Sequence, residues 1–505
     1  MESQPDYSVY LVTDSTPEIL ADKHLPAVVE AALRGGVTMV QYRDKTGSKA
    51  DVVAMARELH RVTQKYDVPL LINDRVDVAV EVGCEGVHIG QDDMEFQQAR
   101  KLLGPDKIIG VTANSEAEAL SACAAGADYL GLGTVYATAT KKDTKSIIGP
   151  SGVRTILNAL NEAGYSSTPT VCIGGVNATN ASTVLLQSAS PHKSLDGIAV
   201  VSAVMAAEDP AAVSRDLMGK VVCAKIADAV AAVGRKTPLS HNMTNLVVQN
   251  FAANVALSIG ASPIMANYAE EAADLANLGG GALVLNMGTV TPDGIKNYIQ
   301  ALKAYNVAKR PVVFDPVGAG ATSVRRSATQ TLLSSGSFTI IKGNQAEIQT
   351  VYGATVTQRG VDSSGPSLSI AQRATLVQSL ARRRQCVVLL TGPTDLISDG
   401  KRTLRIDNGH ELLGTVTGTG CTLGTAVSAM AAAYEADALV AAVAGTVMFG
   451  VAAERAARRE NVRGPGSFVP AFLDELYGIR CETGRGDLGW LDMARVAVVE
   501  VKQEE

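Results

Sequence analysis

Eight short β-rich runs recur through the first two hundred residues, and they narrow the possible folds more than any other feature of the sequence. They are SVYLVT, TMVQYR, PLLIN, GVHIG, KIIGVT, YLGLG, TVCIGG and GIAVVS, starting near residues 8, 38, 69, 86, 107, 129, 170 and 197. The stretches between them have room for helices, the first being LPAVVEAALRGG, and a further helix follows the last run. Unbroken apolar strands alternating with helices signal a parallel sheet covered on both faces. Eight such repeats predict a (β/α)8 TIM barrel, whose chemistry lies at the C-terminal ends of the strands.

The pattern then changes. Residues 210–235 read as one long helix, ending in the turn-forming KTPLS. Beyond it strand and helix alternate less regularly, through GALVLNMG, RPVVFDPVG, FTIIKGN and CVVLLTGPTDLISDG, into Ala-Gly helices such as GTGCTLGTAVSAMAAAYEA. We expect an open α/β/α sandwich there. The resulting division is a barrel over 1–220, a helical linker over 221–236 and a second domain over 237–505. Residues 359–369, RGVDSSGPSLS, read as a mobile surface loop.

Composition bounds the partners. The 505-residue chain carries a net charge of -6, which opposes a nucleic-acid partner but not a phosphate ligand held by a few local groups. Its seven Cys show no CxxC and no zinc spacing with His, so they read as reduced thiols. No stretch of 18 uncharged apolar residues is present, and Ala436–Ala453, broken by Asp437 and Gly445, reads as a buried helix. With no basic and apolar leader at the N-terminus, a soluble, cytoplasmic protein without a membrane span is expected.

Polar residues stand where a barrel would use them. The second run ends VQYRDK, offering Gln41, Arg43 and Lys45 at alternate positions, and the period-2 geometry of a strand points all three the same way. The third ends Asn73-Asp74, and GQDD after the fourth carries Asp93. Neighbouring strands lie about 5 Å apart, so Asp74 and Asp93 can share a hard cation such as Mg²⁺. The loop after the sixth run, TVYATATKKDTKS, brings Thr138, Thr140 and Lys141. The ends IGG and VVS bring Gly175, Val201 and Ser202 to the loops where barrels commonly bind phosphate. Each residue also has a plainer reading. A strand-end Asp can be a helix cap, KKDTK a solvated charge run, IGG a tight turn. His88 can line the pocket or pack, and His60 reads as a surface residue. It is the shared placement on one barrel face that favours a site.

The combination YLVTD, VQYRDK, INDRVDVA, GVHIGQDD, GLGTVYATATKKDT, IGGV and VVSAV resembles thiamine phosphate synthase over nearly all of residues 7–215. The resemblance implies condensation of hydroxymethylpyrimidine diphosphate with hydroxyethylthiazole phosphate, releasing diphosphate. It implies that Gln41, Arg43, Lys45, Asn73, Thr112 and Lys141 hold the pyrimidine diphosphate and that Asp74 and Asp93 hold Mg²⁺. Thr138, Thr140, Gly175, Val201 and Ser202 then bind the thiazole phosphate. At Thr112 family members often carry Ser, and the hydroxyl survives.

In the second half FDPVGAG ends a strand with Asp315, and TVTGTGCTLGTA places Gly418 and Cys421 at the start of an Ala-rich helix. A Gly-rich turn on a helix N-terminus presents free N–H groups and a dipole suited to a phosphoryl group; close helix packing is the plainer reading. IIKGNQAEI adds Lys342 and Glu347, LLTGPTDLISDG adds Thr391, and the run from PLSHNMTN to GASPIM adds Asn245 and Met265. Together these resemble hydroxyethylthiazole kinase of the ribokinase-like fold, over about 237–480. The resemblance implies that Asn245, Met265 and Gly418 receive the thiazole. Lys342 and Thr391 then contact ATP phosphates or adenosine, and Asp315 and Glu347 position Mg²⁺ directly or through water. Cys421 stands where many ribokinase-like enzymes carry an Asp base. It acts as a base or only lines the anion site, and the helix N-terminus is expected to lower its pKa. The implied partners are small-molecule substrates and copies of the chain itself, as a trimer or hexamer. Residues 481–505 belong to neither motif set and read as a docking strand or a tail.

Overall fold

The computed structural model describes residues 5–138, 146–354, 358–359, 362–363 and 368–501. They form two compact units, divided between Ala224 and Lys225. The division falls inside a single helix, Pro210–Lys236, of 27 residues.

The strands of the first unit are β1 (Val9–Val12), β2 (Met39–Tyr42), β3 (Leu70–Asn73), β4 (Gly86–Ile89), β5 (Ile108–Ala113), β6 (Tyr129–Leu132), β7 (Thr170–Cys172) and β8 (Gly197–Val200). They close into a barrel in chain order, all pairs parallel, with β8 returning to β1. The expected (β/α)8 barrel is the observed one. β1, β2, β6 and β8 are buried along their whole length, which is why their sequences are apolar without alternation. Helices cover the outer face with an apolar stripe: Leu25–Arg34 buries Leu25, Val28, Val29, Ala32 and Leu33, at the i, i+3, i+4, i+7, i+8 spacing of one helix face. Ser48 and Ser115 begin the helices Lys49–Gln64 and Glu116–Ala125, each hydroxyl accepting a backbone N–H three residues on. His60, read as a surface residue, is instead mostly covered, with Nε2 3.0 Å from Glu85 Oε1.

The second unit contains β9 (Leu239–Met243), β10 (Ser262–Ile264), β11 (Gly281–Asn286), β12 (Val312–Asp315), β13 (Ile340–Asn344), β14 (Gln358–Arg359), β15 (Asp362–Ser363), β16 (Val387–Thr391), β17 (Asp395–Ser398), β18 (Thr403–Ile406) and β19 (Val496–Val498). Nine of them form one open sheet in the order β10-β9-β11-β12-β13-β16-β17-β18-β19. It is parallel as far as β16 and antiparallel beyond. β14 and β15 pair separately; of the segment 359–369 read as a loop, Arg359, Asp362 and Ser363 belong to this pair, and residues 360–361 and 364–367 lie outside the described residues.

Helices lie on both faces of the sheet. On one, Tyr298, Ala301 and Tyr305 of Pro292–Val307 pack with Leu332, Ile348 and Leu380 against Leu285, Phe314 and Ile341. On the other, Thr419–Ala433 packs against β9, β11 and β12, and Ala438–Ala457 packs beside it. That second helix is long and apolar enough to cross a membrane by composition, but its residues from Leu439 to Ala453 are all buried in the fold, so its apolarity belongs to the core. Of the two readings for residues 481–505, the docking strand is the observed one. Trp490 is fully buried and donates from Nε1 to Thr483 Oγ1 at 2.9 Å, and β19 adds antiparallel to β18. Arg495 clamps it further, pairing with Glu454 at 2.6 Å.

Candidate active sites

At the C-terminal mouth of the barrel, Gln41 points inward from β2, buried, and donates to Tyr10 Oη at 2.7 Å. β2 ends at Tyr42, so alternation does not carry Arg43 and Lys45. Their positions come from partners on other loops. Arg43 Nη1 lies 3.5 Å from Asp14 Oδ2, and Lys45 Nζ lies 2.5 Å from Asp74 Oδ2. Asn73 donates to the same Asp74 oxygen at 2.8 Å. Asp74 itself sits at φ 54, a left-handed conformation uncommon outside glycine and the Asn/Asp pair, which bends the chain off β3. Asp93 is exposed and accepts the Gly90 N–H at 2.6 Å, closing the turn after β4.

Thr112, near the end of β5, contacts His88 Nε2 at 2.8 Å. Thr138 is half-buried after β6; Thr140 and Lys141 lie outside the described residues. Gly175 follows β7 at φ 67, against Tyr136 and Ala137 of the β6 loop. Val201 and Ser202 lead from β8 into the short helix Ser202–Met205. Asp14, Tyr10 and Tyr129 escaped the sequence reading. Asp14 carried the signal used elsewhere, a polar residue just past an apolar strand. The tyrosines looked like ordinary strand aromatics.

In the second unit, consecutive strands bring five polar ends together. Asn245 follows β9, Asn286 ends β11, Asp315 ends β12, Lys342 lies in β13 and Thr391 ends β16. Asp315 Oδ2 meets Lys342 Nζ at 3.0 Å and Asn286 Nδ2 at 2.9 Å, all buried. Asn245 Nδ2 reaches Asn286 Oδ1 at 3.2 Å and Cys421 Sγ at 4.0 Å. Asn286 was not picked out from the sequence, although it closes GALVLN just as Asp315 closes VVFD. Burial alone would lower the Lys342 pKa, but Asp315, Cys421 and Glu347 together outweigh it and raise it, keeping Lys342 a cation. Asp315 Oδ1 is buried with no hydrogen-bond partner, an acceptor that suits a cation or its bound water.

Glu347 is less open than expected. Its two oxygens accept the N–H groups of Gly318 and Asn344, each at 2.8 Å, and it completes a capping box on the helix Gln345–Tyr352. Burial and then the nearby Asp315 push its pKa up to about 7. Among the described residues no three His, Cys, Asp or Glu side chains converge on a metal position, so a cation here would complete its shell with phosphate oxygens and water.

Gly418 caps the helix Thr419–Ala433 at φ 91, where a Cβ would lie 2.3 Å from Val248 Cγ1. Cys421 is the third residue of that helix, and Met265 is half-buried just past β10. The expected depression of the Cys421 pKa is wrong. Burial, reinforced by Asp315, pushes the thiol up to about 11. Desolvation and a neighbouring carboxylate outweigh the helix terminus because both act on the sulfur at short range.

Comparisons with known proteins agree with this division. The "Thiamine monophosphate synthase" family matches residues 9–204, and the "Hydroxyethylthiazole kinase family" matches residues 230–482. A Saccharomyces cerevisiae protein named "Thiamine biosynthetic bifunctional enzyme" is 37% identical over 94% of this chain and 96% of its own length. The chain belongs to this bifunctional thiamine biosynthesis family. A Schizosaccharomyces pombe protein named "Probable thiamine biosynthetic bifunctional enzyme" is 40% identical over 99% of this chain and its own full length. The "Hydroxyethylthiazole kinase" of Moorella thermoacetica is 46% identical over 50% of this chain and 91% of its own length. A thiamine phosphate synthase barrel is fused here to a hydroxyethylthiazole kinase.

Proposed function

We propose that the two units work as successive enzymes with separate sites. The C-terminal unit phosphorylates 4-methyl-5-(2-hydroxyethyl)thiazole with ATP. The barrel condenses the resulting thiazole phosphate with hydroxymethylpyrimidine diphosphate to give thiamine phosphate and diphosphate. The observation that carries this reading is the occurrence of both polar constellations, each at the C-terminal ends of its own sheet, in one chain.

In the barrel, Gln41, Asn73 and Thr112 orient the pyrimidine diphosphate, and Arg43, Lys45 and Lys141 neutralise it. Diphosphate is a good leaving group only when its charge is balanced, and cationic side chains do this. Once the C–O bond breaks, the ring-stabilised methylene cation is captured by the thiazole nitrogen, so no general base is required. Thr138, Thr140, Gly175, Val201 and Ser202 hold the thiazole phosphate so that its nitrogen faces that carbon. Asp74 and Asp93 would hold Mg²⁺, which supplies further positive charge to the diphosphate.

In the kinase, Asn245, Met265 and Gly418 receive the thiazole, and Lys342 and Thr391 face the nucleotide. The free N–H groups at the start of Thr419–Ala433 take up charge on the transferring phosphoryl group. Asp315 would hold Mg²⁺ through its unpartnered oxygen. Glu347, whose oxygens already accept two backbone N–H groups, would act through water. Cys421 lines this site as a neutral thiol. Its high pKa leaves it a poor proton acceptor, and a loose phosphoryl-transfer transition state needs positioning more than an early base. Cys421→Ser is therefore expected to keep the kinase kcat within about tenfold of the parent, because one neutral group replaces another. A loss on the order of a thousandfold would identify the sulfur as the base.

The reading places the protein in the cytoplasm, in keeping with seven unpaired cysteines. A homo-oligomer, trimer or hexamer, belongs to the same reading; Leu246 and Val247, 80% and 75% exposed beside Asn245, support a contact there. One assay tests the whole. Purified protein given ATP, Mg²⁺, the thiazole alcohol and the pyrimidine diphosphate should release thiamine phosphate. Omitting ATP should stop it, and adding thiazole phosphate should restore it. Absence of ATP-dependent phosphorylation of the alcohol would remove the kinase half of the proposal.

A further inference from the structure

Across the barrel interior runs a continuous chain of short hydrogen bonds that joins two of the proposed pyrimidine contacts from behind. Gln41 Nε2 donates to Tyr10 Oη at 2.7 Å. Tyr10 Oη lies 2.7 Å from Tyr129 Oη, and Tyr129 Oη lies 2.8 Å from His88 Nδ1. His88 Nε2 lies 2.8 Å from Thr112 Oγ1. The five residues come from β2, β1, β6, β4 and β5, so the chain spans more than half of the barrel strands.

The barrel is shaped to hold these rings. Gly110 lies opposite Tyr129 in the β5–β6 register, and a Cβ at Gly110 would fall 2.0 Å from the Tyr129 ring. A Cβ at Gly131 would fall 3.0 Å from His88 Cε1. Tyr10 and Tyr129 are 1% and 0% exposed. Burial raises both phenols well above their ordinary pKa, for Tyr129 with Tyr10 as the next cause, so each keeps one proton.

Counting protons sets the direction of the chain. The Gln41 amide nitrogen can only donate, so the Tyr10 oxygen accepts there. If Tyr129 also donated to Tyr10, the Tyr10 proton would be left buried against no acceptor in this chain, which is unfavourable. Tyr10 therefore donates to Tyr129, and Tyr129 donates to His88 Nδ1. An imidazole that accepts at Nδ1 carries its proton on Nε2, and Nε2 then donates to Thr112 Oγ1. With its oxygen already accepting from behind, the Thr112 hydroxyl has its proton left to give.

From this we propose that His88 is a positioning residue of the condensation site. Fixed in the Nε2–H tautomer by the Gln41–Tyr10–Tyr129 chain, it turns the Thr112 hydroxyl into a donor aimed at the pyrimidine diphosphate. The inference rests on the proposed contact of Thr112 with that substrate. The arrangement is built before substrate arrives, so it lowers the barrier without a rearrangement at the moment the C–O bond breaks.

The test compares His88→Leu, His88→Gln, Thr112→Ala and the double variant His88→Leu/Thr112→Ala in the full chain, with thiamine phosphate formation measured from supplied thiazole phosphate. Thr112→Ala is expected to lower kcat about 100-fold, the scale of one lost preorganised donor. His88→Leu is expected to lower kcat at least about 10-fold, with KM for both substrates within about threefold. His88→Gln keeps an N–H near the Nε2 position and should recover most of that loss. The double variant should be no slower than Thr112→Ala, since His88 acts only through that hydroxyl. Unchanged KM for thiazole phosphate shows that the barrel has kept its fold. Equal losses in His88→Leu and His88→Gln, or a loss confined to KM, would overturn the positioning role and leave His88 as packing or a direct contact. Full activity in Thr112→Ala would instead overturn the underlying contact.

Discussion

Asp315→Asn is expected to reduce phosphorylation of the thiazole alcohol about 1,000-fold, a loss of about 4 kcal/mol of transition-state stabilisation. The amide keeps the shape of the carboxylate and removes its charge. Two things are lost together. The unpartnered Oδ1 no longer offers an anionic ligand to a cation, and Lys342 loses the partner that holds it 3.0 Å away. Breaking a buried pair by removing one charge also destabilises, by about 3–5 kcal/mol, so the measurement needs a folding check within the same unit. Retained affinity for the thiazole alcohol, read by calorimetry, supplies one. Condensation from supplied thiazole phosphate should be unchanged, because it runs in the other unit. A variant that binds thiazole normally and still phosphorylates it at the parent rate would show that Asp315 has no part in phosphoryl transfer.

Asp93→Ala is expected to do the reverse. Condensation should fall by at least about 100-fold, for loss of a carboxylate that balances Mg²⁺ against diphosphate, while the kinase kcat and KM stay at the parent values. The side chain is exposed, and its one bond closes the turn at Gly90, so removing it should cost about 0.5–2 kcal/mol of stability, as for other caps. Parallel loss of both activities would contradict two separate sites. Raising the Mg²⁺ concentration should recover part of the condensation rate in this variant, since Asp74 remains.

The sequence announced the barrel because its strands are buried over most of their length, which leaves apolar blocks such as YLVT and TVCIGG that stand out from the helices between them. The open sheet was harder to trace. β17, β18 and β19 are short antiparallel additions, and β19 lies about 90 residues beyond the strand it pairs with. Strand-end polar residues were legible as a class: Asp315, Lys342, Asn73 and Asp74 were found because each closes or follows an apolar run. Asn286 and Asp14 obey the same rule and were passed over. What local sequence cannot carry is the partner. Tyr10 and Tyr129 are separated by 119 positions and meet only because the barrel closes. The misjudged Cys421 has the same origin. Its helix terminus was visible in GTGC, but the carboxylate and the burial that dominate its thiol arrive from β12 and the packing around it.

The barrel and the nine-stranded sheet differ in what they leave open to other chains. The barrel closes on itself and presents no unpaired strand to solvent. The open sheet ends in β10 on one side and β19 on the other, each only three residues long, and β10 contains Pro263, which has no N–H to offer a further strand. Such blunt ends discourage the sheet from growing into a neighbour, a route by which enzymes with long exposed edges aggregate when crowded. Edge-to-edge strand pairing through this sheet is thereby disfavoured. A cut that released β19 would uncover Thr403–Ile406, four residues with Leu404 and Ile406 in the core, and turn a guarded margin into an adhesive one.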